Sequence, residues 1–245
     1  MLAQSSVPAT QKHEYGVAPE QFYLRWQHSD NAPLLVFIHG GCWLDAYDIE
    51  HAKPLMSALS SAGFTVIGIE YRRTTNDRAA WPIAKDDIIQ ALGQIVTETS
   101  YAKNRPISIL GHSAGGHLAL LAATQVSQWA PLVSVDVHGL AAIVDIAAYA
   151  KGENSCQRAT SAFMGGMPDA LPQAYQDASP LSYALPQNIQ VMLWHGVKDA
   201  IVPNSQAHHP NASVKTVPEA GHFAWIHTQT EAYKRLLQEL SERTL

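Results

Sequence analysis

The sequence contains little cysteine and little charge. Cys42 and Cys156 are its two cysteines, which are too few for a disulfide framework and have no metal-type spacing, so we expect two free thiols. Charged residues make up 15% of the 245 residues and the net charge is -5. That balance argues against a nucleic-acid-binding surface. The expected partner is a small molecule.

Long apolar runs are also missing. No run approaches the roughly 18 residues that span a bilayer. Residues 1–6 have neither the basic start nor the apolar stretch of a secretory signal. We therefore expect a cytoplasmic protein with no membrane segment. The sequence leaves the oligomeric state open, a homodimer included.

The sequence contains 12 histidines, enough for a metal site to be considered. His208 and His209 are adjacent, so their side chains diverge, and His222 and His227 lack the four-residue helical spacing of a zinc motif. No cysteine pair supplements them. We expect no catalytic metal and no other cofactor.

Buried strands alternate with helices along the chain. Short apolar runs predict strands and amphipathic stretches predict helices. The predicted strands are 21–26, 34–38, 64–71, 107–110, 133–144 with a break at Gly139, 189–194 and 213–217, and the predicted helices are 54–62, 82–99, 114–127 and 224–240. This order predicts an α/β fold with a mostly parallel sheet, helices on both faces and a site at the carboxyl ends of the strands. No linker divides residues 1–245, so we expect one domain.

Residues 145–186 interrupt the alternation of strands and helices. Glycines and prolines, among them Gly152, Gly165 and Pro172, break the segment into short helical pieces. Loops of this length are usually functional when they are ordered. We predict a partly mobile lid or cap insertion that shapes the pocket, and a simple surface excursion is the alternative.

A candidate nucleophile lies between a predicted strand and a predicted helix. Gly111-His112-Ser113-Ala114-Gly115 fits G-x-S-x-G, in which a sharp turn holds the serine in strained backbone geometry with its Oγ exposed. The N-terminus of the following helix directs unpaired N–H groups at the same spot. The motif predicts Ser113 as the nucleophile of a serine hydrolase.

The sequence also offers a base and an acid in the order that this motif requires, which is serine, then acid, then histidine. Asp199 follows the predicted strand 189–194, and His222 follows the last strand. A histidine can take the serine proton at neutral pH, and a carboxylate can fix its tautomer. We predict a Ser113-Asp199-His222 triad, with Glu219 as the replacement acid if Asp199 is dispensable.

A glycine-rich loop follows the strand 34–38 in the segment His39-Gly40-Gly41-Cys42-Trp43. Glycines allow backbone N–H groups to approach a substrate closely. We predict an oxyanion hole formed by the N–H groups of Gly41, Cys42 and Ala114. Trp43 and Trp81 are predicted to line the substrate pocket and to favour an apolar or aromatic group there.

Together these motifs resemble the α/β-hydrolase superfamily, within the branch that joins hormone-sensitive-lipase-like esterases with kynurenine formamidases and related small carboxylesterases. The segments that carry the resemblance are 39–43, 70–73, 81–87, 111–117, 195–199 and 221–223. The resemblance implies the α/β-hydrolase fold, the triad, an oxyanion hole at the glycine loop, and a structural pairing of Arg72 with Asp87.

The sequence departs from this branch at two places. Cys42 stands where lipase-like esterases have a third glycine, which points away from the lipase-like branch. The stretch between Asp199 and His222 is short, which suggests a trimmed helix before the last strand. We predict a serine carboxylesterase acting through an acyl-Ser113 intermediate. The alternatives are an arylformamidase, a peptidase-like hydrolase and a ligand-binding relative without turnover.

Overall fold

The computed structural model describes residues 6–98, 107–130, 134–186 and 189–243. The strands are β1 (Gln11–Glu14), β2 (Phe22–Trp26), β3 (Leu34–Ile38), β4 (Thr65–Ile69), β5 (Ile107–His112), β6 (Val135–Leu140), β7 (Gln190–Gly196) and β8 (Ser213–Val217). The helices are α1 (Lys53–Ser61), α2 (Ile83–Glu98), α3 (Ala114–Thr124), α4 (Val126–Trp129), α5 (Ile146–Tyr149), α6 (Ser155–Met164), α7 (Pro172–Ala178) and α8 (Glu231–Arg243).

The strands form one eight-stranded sheet in the order β1-β2-β4-β3-β5-β6-β7-β8. β2 pairs antiparallel with both β1 and β4, whereas every pairing from β4 to β8 is parallel. Because parallel strands end at the same edge, the loops after β3, β5, β7 and β8 meet there. Apart from Trp81, which follows β4, the residues that the sequence predicts for the site lie in or beside those loops.

The central strands are buried on both faces, which explains their continuous apolar runs. All five residues of β3 and of β4 are buried. One core cluster joins one face of the sheet to α2, α3 and residues 142–164, and the other joins the opposite face to α1 and α8. The predicted α/β class, with helices on both faces of a mostly parallel sheet, is confirmed.

The sequence analysis missed β1, and two of the predicted elements differ from the structure by more than three residues at one end. β6 continues through Gly139 to Leu140 without the predicted break. Gly139 is there for space, because an added Cβ would lie 3.0 Å from the Ala142 Cβ and 3.1 Å from the Leu193 side chain. The predicted helix 224–240 is wrong at its start, since a 3-10 turn occupies His222–Trp225 and α8 begins at Glu231.

Residues 145–186 are packed on the core rather than extended into solvent. Each of the helices α5, α6 and α7 contributes one aromatic side chain that is at most 1% exposed, namely Tyr149, Phe163 and Tyr175. Tyr175 also donates a hydrogen bond of 3.0 Å from its hydroxyl to the Gly166 carbonyl. These buried aromatic side chains join the segment to the core of the protein, and the predicted mobility of part of it stays a prediction. Across the described ranges, none of the helices combines the length and apolar content needed to cross a bilayer.

Candidate active site

Ser113 occupies a sharp turn between β5 and α3. Its backbone is left-handed in φ, with φ 56° and ψ -120°, a conformation that is costly for a residue with a Cβ. The residues two positions before and after it must be glycine, because a Cβ at Gly115 would lie 2.1 Å from the Ile38 carbonyl oxygen and one at Gly111 would lie 2.3 Å from the Gly115 oxygen. The Ser113 N–H donates to Leu140 O at 2.9 Å. The sequence pattern G-x-S-x-G therefore describes a steric requirement of this turn.

His222 and Asp199 meet in the way the sequence predicts. The His222 Nδ1 lies 2.9 Å from the Asp199 Oδ2, and both residues are buried. The other carboxylate oxygen accepts from the N–H groups of Ile201 and Val202, each at 2.9 Å. Burial alone would raise the pKa of Asp199, but the hydrogen bonds from His222, Val202 and Ile201 outweigh it, so that its pKa lies below the usual value. Asp199 is ionised at neutral pH and holds a hydrogen on the His222 Nδ1.

His112, the variable residue before the serine, has a role that the sequence analysis missed. Its Nε2 donates to the His222 carbonyl oxygen at 3.0 Å, and the two imidazole rings are 4.7 Å apart. Burial lowers the pKa of His112 to about 3, so its ring is neutral. His112 thereby fixes the loop of His222 beside Ser113 without adding charge. In the sequence, this role is indicated only by the presence of a histidine within G-x-S-x-G.

The glycine loop has an unusual backbone. Gly41, Cys42 and Trp43 have positive φ angles of 111°, 54° and 59° in succession. The loop closes through a bond of 3.0 Å from the Leu44 N–H to the Gly41 carbonyl oxygen. Among the described residues, the N–H groups of Gly41, Cys42 and Ala114 have no partner within the protein. Gly41 and Cys42 also line a cavity that contains Ser113, whereas Ala114 is buried.

A buried carboxylate that the sequence analysis missed holds the start of this loop and the chain that follows it. The Glu70 Oε1 lies 3.0 Å from the His39 Nε2 and accepts from the Tyr71 N–H at 2.9 Å, while Oε2 accepts from the Ile49 N–H at 2.8 Å. Arg73 forms an ion pair with the same carboxylate. Buried charges are tolerated when they are paired and hydrogen-bonded in this way. Glu70 thus ties residues 39 and 49 to the end of β4.

The pairing of Arg72 with Asp87 that the resemblance implies is present. The guanidinium binds the buried carboxylate through two bonds, Nε to Oδ2 at 2.9 Å and Nη2 to Oδ1 at 2.6 Å. Gln21 donates a further bond of 2.8 Å to Asp87 Oδ1. A bidentate pair of this kind is strong and directional. It joins the chain after β4 to the first turns of α2.

The prediction of two free thiols is wrong. Cys42 and Cys156 form a disulfide, with Cα atoms 5.1 Å apart. The two residues are 114 positions apart in the sequence, and only the packing of α6 over the glycine loop brings them together. Disulfides are rare in cytosolic proteins. The bond therefore does not support the predicted cytoplasmic location, which stays a prediction.

A cavity of about 400 Å³ opens at this edge of the sheet. Its walls contain Ser113, His112 at the end of β5, His222 after β8, the disulfide and several apolar side chains. The lining residues are Gly41, Cys42, Tyr47, His51, His112, Ser113, Ser155, Cys156, Ile201, His222, Phe223 and Ile226. None of these is a lysine, arginine, aspartate or glutamate, so the cavity suits a neutral ligand.

The two tryptophans predicted to line the pocket lie elsewhere. Trp43 is fully buried and stacks on Phe163 with ring centroids 4.7 Å apart. Trp81 is half-buried, with its ring 6.1 Å from Phe163 and the Lys85 ammonium 5.6 Å above it. The left-handed backbone of the glycine loop turns the Trp43 side chain into the core, away from the substrate cavity.

The remaining sequence candidates are also accounted for. Glu219 is exposed and pairs with Lys198, so it does not contact His222. Residues 197–212 are all described and contain no α-helix, only a 3-10 turn at Asn204–Gln206, in agreement with the trimmed helix that the spacing suggests. Within the described ranges, no cluster of three or more histidine, cysteine or acidic side chains is suited to a metal.

The buried histidines make the stability of the fold depend on pH. Burial lowers the pKa of His117 to about 4, so the unfolded chain takes up its proton first as the pH falls below about 6.5. Protonation then favours unfolding. We expect His117→Gln, which can still donate to Ala178 O, to reduce the stability lost between pH 7 and pH 5 by about 2 kcal/mol relative to the wild type. Urea unfolding at both pH values measures this, and equal losses would contradict it.

The comparisons with known proteins agree on the fold. The model of the BD-FAE family matches residues 21–213. In Mycobacterium tuberculosis, esterase LipC is 26% identical over 210 residues, which are 79% of this chain and 52% of LipC. The probable carboxylic ester hydrolase LipM of the same organism is 30% identical over 199 residues, which are 74% of this chain and 46% of LipM. The chain spans about half the length of the curated relatives it matches.

Solved structures resemble the whole chain. A truncated carbohydrate esterase from gut microbiota superposes with a TM-score of 0.79 at 18% identity, covering 98% of this chain and 99% of that one. An esterase from Pyrobaculum calidifontis gives a TM-score of 0.70 at 16% identity, covering 96% and 83%. The predicted α/β-hydrolase fold is confirmed. Because the family model extends over most of the sequence, from β2 to the start of β8, the chain belongs to the BD-FAE family.

Proposed function

We propose that this protein is a serine hydrolase that cleaves small carboxylic esters through an acyl-Ser113 intermediate. The observation that carries the proposal is the His222–Asp199 pair, 2.9 Å between Nδ1 and Oδ2, in the wall of the cavity that also contains Ser113. The esterase names of LipC and LipM support the same reaction class. The peptidase and non-catalytic alternatives have no comparable support.

In the proposed acylation step, the Ser113 Oγ attacks the ester carbonyl carbon. The His222 Nε2 takes the hydroxyl proton, and ionised Asp199 stabilises the imidazolium that forms. His222 then gives the proton to the leaving alcohol, and an acyl-enzyme remains. Water repeats the sequence on the acyl carbonyl and regenerates Ser113.

We assign stabilisation of the oxyanion to the N–H groups of Gly41, Cys42 and Ala114. They have no other partner among the described residues, and Ala114 is the first residue of a helix, whose N-terminus favours negative charge. Losing one donor of an oxyanion hole costs on the order of a hundredfold or more in rate. The three donors belong to two elements, the glycine loop and α3.

We also propose that residues 145–186 act as a cap within one domain and limit the acyl group to a short chain. Helix α6 supplies Ser155 and Cys156 to the cavity wall, and the cavity measures about 400 Å³. Apolar side chains, Ile201 and Ile226 among them, supply much of the remaining surface. A neutral, short acyl ester fits this site, and whether the protein acts as a monomer or a homodimer does not enter this proposal.

The proposal is tested with a fluorophosphonate probe and a panel of substrates. We expect one covalent adduct per chain, mapped to Ser113 by peptide mass spectrometry. With p-nitrophenyl esters, kcat/KM for acetate or butyrate should exceed that for octanoate by at least about tenfold, since a misfitting methylene alone can cost that much. N-formylkynurenine serves as the formamide comparison.

Two outcomes would contradict the proposal. Labelling at Cys42 or at another serine would remove Ser113 from the nucleophile role. Hydrolysis of N-formylkynurenine with a higher kcat/KM than every ester in the panel would make the protein an arylformamidase instead.

A further inference from the structure

The glycine loop contains two residues in a conformation that does not suit them. Cys42 and Trp43 have φ angles of 54° and 59°, in the left-handed region that costs energy for any residue with a Cβ. Gly41 precedes them with φ 111°, which glycine adopts freely. The path of the loop, and with it the direction of the Gly41 and Cys42 N–H groups, requires that something hold Cys42 and Trp43 in place.

Helix α6 holds both residues. The disulfide joins Cys42 to Cys156, the second residue of α6. Trp43 stacks on Phe163 near the other end of the same helix, with the ring planes 12° apart. The two contacts are seven residues apart, so about two turns of one helix span the strained part of the loop.

Helix α6 is itself well fixed. A capping box closes its start: the Asn154 Oδ1 accepts from the Gln157 N–H at 2.9 Å, and the Gln157 Oε1 accepts from the Asn154 N–H at 3.1 Å. Asn154 also donates to Ile201 O at 2.8 Å. Gly165 ends the helix in the left-handed conformation. The helix therefore provides a rigid support for the loop.

We propose that the Cys42–Cys156 disulfide positions the oxyanion loop: it holds Cys42 in a left-handed conformation that a glycine would adopt unaided. Cys156 is thus a positioning residue that acts through Cys42, and residues 155–164 serve as a brace of the loop as well as a wall of the cavity. This inference rests on the proposed esterase function. The competing explanation is that the disulfide only stabilises the fold by restricting the unfolded chain.

A matched pair of variants separates the two explanations. C42A/C156A and C42G/C156A both lack the cross-link, and they differ only in the backbone preference of residue 42. If the disulfide positions the loop, C42A/C156A should lose about tenfold in kcat for p-nitrophenyl acetate, with KM nearly unchanged. C42G/C156A should recover most of that loss, because glycine takes a positive φ without a Cβ penalty.

A second readout reports on the oxyanion donors directly. A trifluoromethyl ketone adds to the active serine and places an oxyanion in the hole, so its affinity should fall in C42A/C156A by the same factor as kcat. A change in stability alone would not alter this affinity in the folded enzyme. If C42A/C156A fails to fold, wild type treated with dithiothreitol until both thiols are titrated takes its place, and the expected loss is the same.

The outcomes are distinct. Equal kcat values for the two double variants, whether both are lower than wild type or both match it, would overturn the positioning role. A higher kcat and tighter ketone binding in C42G/C156A than in C42A/C156A would support it. Failure of the esterase proposal is recognised separately, because wild type would then neither hydrolyse p-nitrophenyl acetate nor react with the fluorophosphonate at Ser113.

Discussion

Ser113→Ala is expected to lower kcat for p-nitrophenyl acetate by at least about 10⁴-fold, as the loss of a nucleophile does in serine hydrolases. The substitution removes only the Oγ. Alanine and serine both carry a Cβ, so the cost of the left-handed turn at φ 56° is the same in both chains. The N–H of residue 113 still donates to Leu140 O. The melting temperature should therefore change little while activity disappears.

Ser108→Ala is the matched control for this variant. Ser108 is buried in β5, five residues before Ser113, and it loses the same hydroxyl group. It should retain ester hydrolysis and one fluorophosphonate adduct per chain, whereas Ser113→Ala should retain neither. Substantial hydrolysis by a folded Ser113→Ala protein would show that another group is the nucleophile.

The parts of the site that the sequence predicts are those with a local cause. The turn at Ser113 needs glycine on both sides because a neighbouring backbone fills the space of a Cβ, and that need is visible within five residues. Asp199 follows the buried strand β7 and His222 follows the mostly exposed strand β8, and the carboxyl ends of these strands must meet in a parallel sheet. Strand order and burial thus place these side chains before any contact is known.

The parts that the sequence does not predict depend on contacts between distant segments. The disulfide exists because α6 packs over the glycine loop, and nothing near Cys42 or Cys156 indicates that packing. The bonds from Glu70 to residues 39 and 49 likewise depend on the relative positions of β3 and β4. The orientation of Trp43 follows from two consecutive left-handed residues, a conformation that composition does not indicate for cysteine and tryptophan.

The errors at element boundaries have a similar origin. Gly139 is typical of a strand break, yet here it leaves room for Ala142, just after β6, and for the Leu193 side chain of the neighbouring strand β7. The apolar period from residue 224 onward suggests a helix, but Trp225 is buried in the second core cluster as part of a 3-10 turn. In both places tertiary packing decides the local structure.

Glu219→Gln is the control for the acid of the triad. Glu219 is exposed, and its ion pair with Lys198 is a surface pair of little energetic weight. The same exchange of carboxylate for amide should leave kcat close to the wild-type value. A large loss would instead identify Glu219 as the acid and displace Asp199 from the triad.

Asp199→Asn is expected to lower kcat by about 10³- to 10⁴-fold while the fold is kept, because the wrong tautomer of the base has that effect in a serine triad. The amide oxygen can still accept from Ile201 and Val202, which hold the turn at 2.9 Å. The NH2 group then faces the His222 Nδ1 and donates to it, which moves the ring hydrogen to Nε2, where the proton of Ser113 must be received. The substitution also removes the negative charge that stabilises the imidazolium.

Because the pKa of Asp199 lies below its usual value, the wild-type carboxylate is ionised throughout neutral and mildly acidic pH. The loss in kcat caused by Asp199→Asn should therefore persist from pH 6 to pH 8. Steady-state kinetics of the two carboxamide variants across that range measures it, and near wild-type turnover by Asp199→Asn would mean that His222 is oriented by another group.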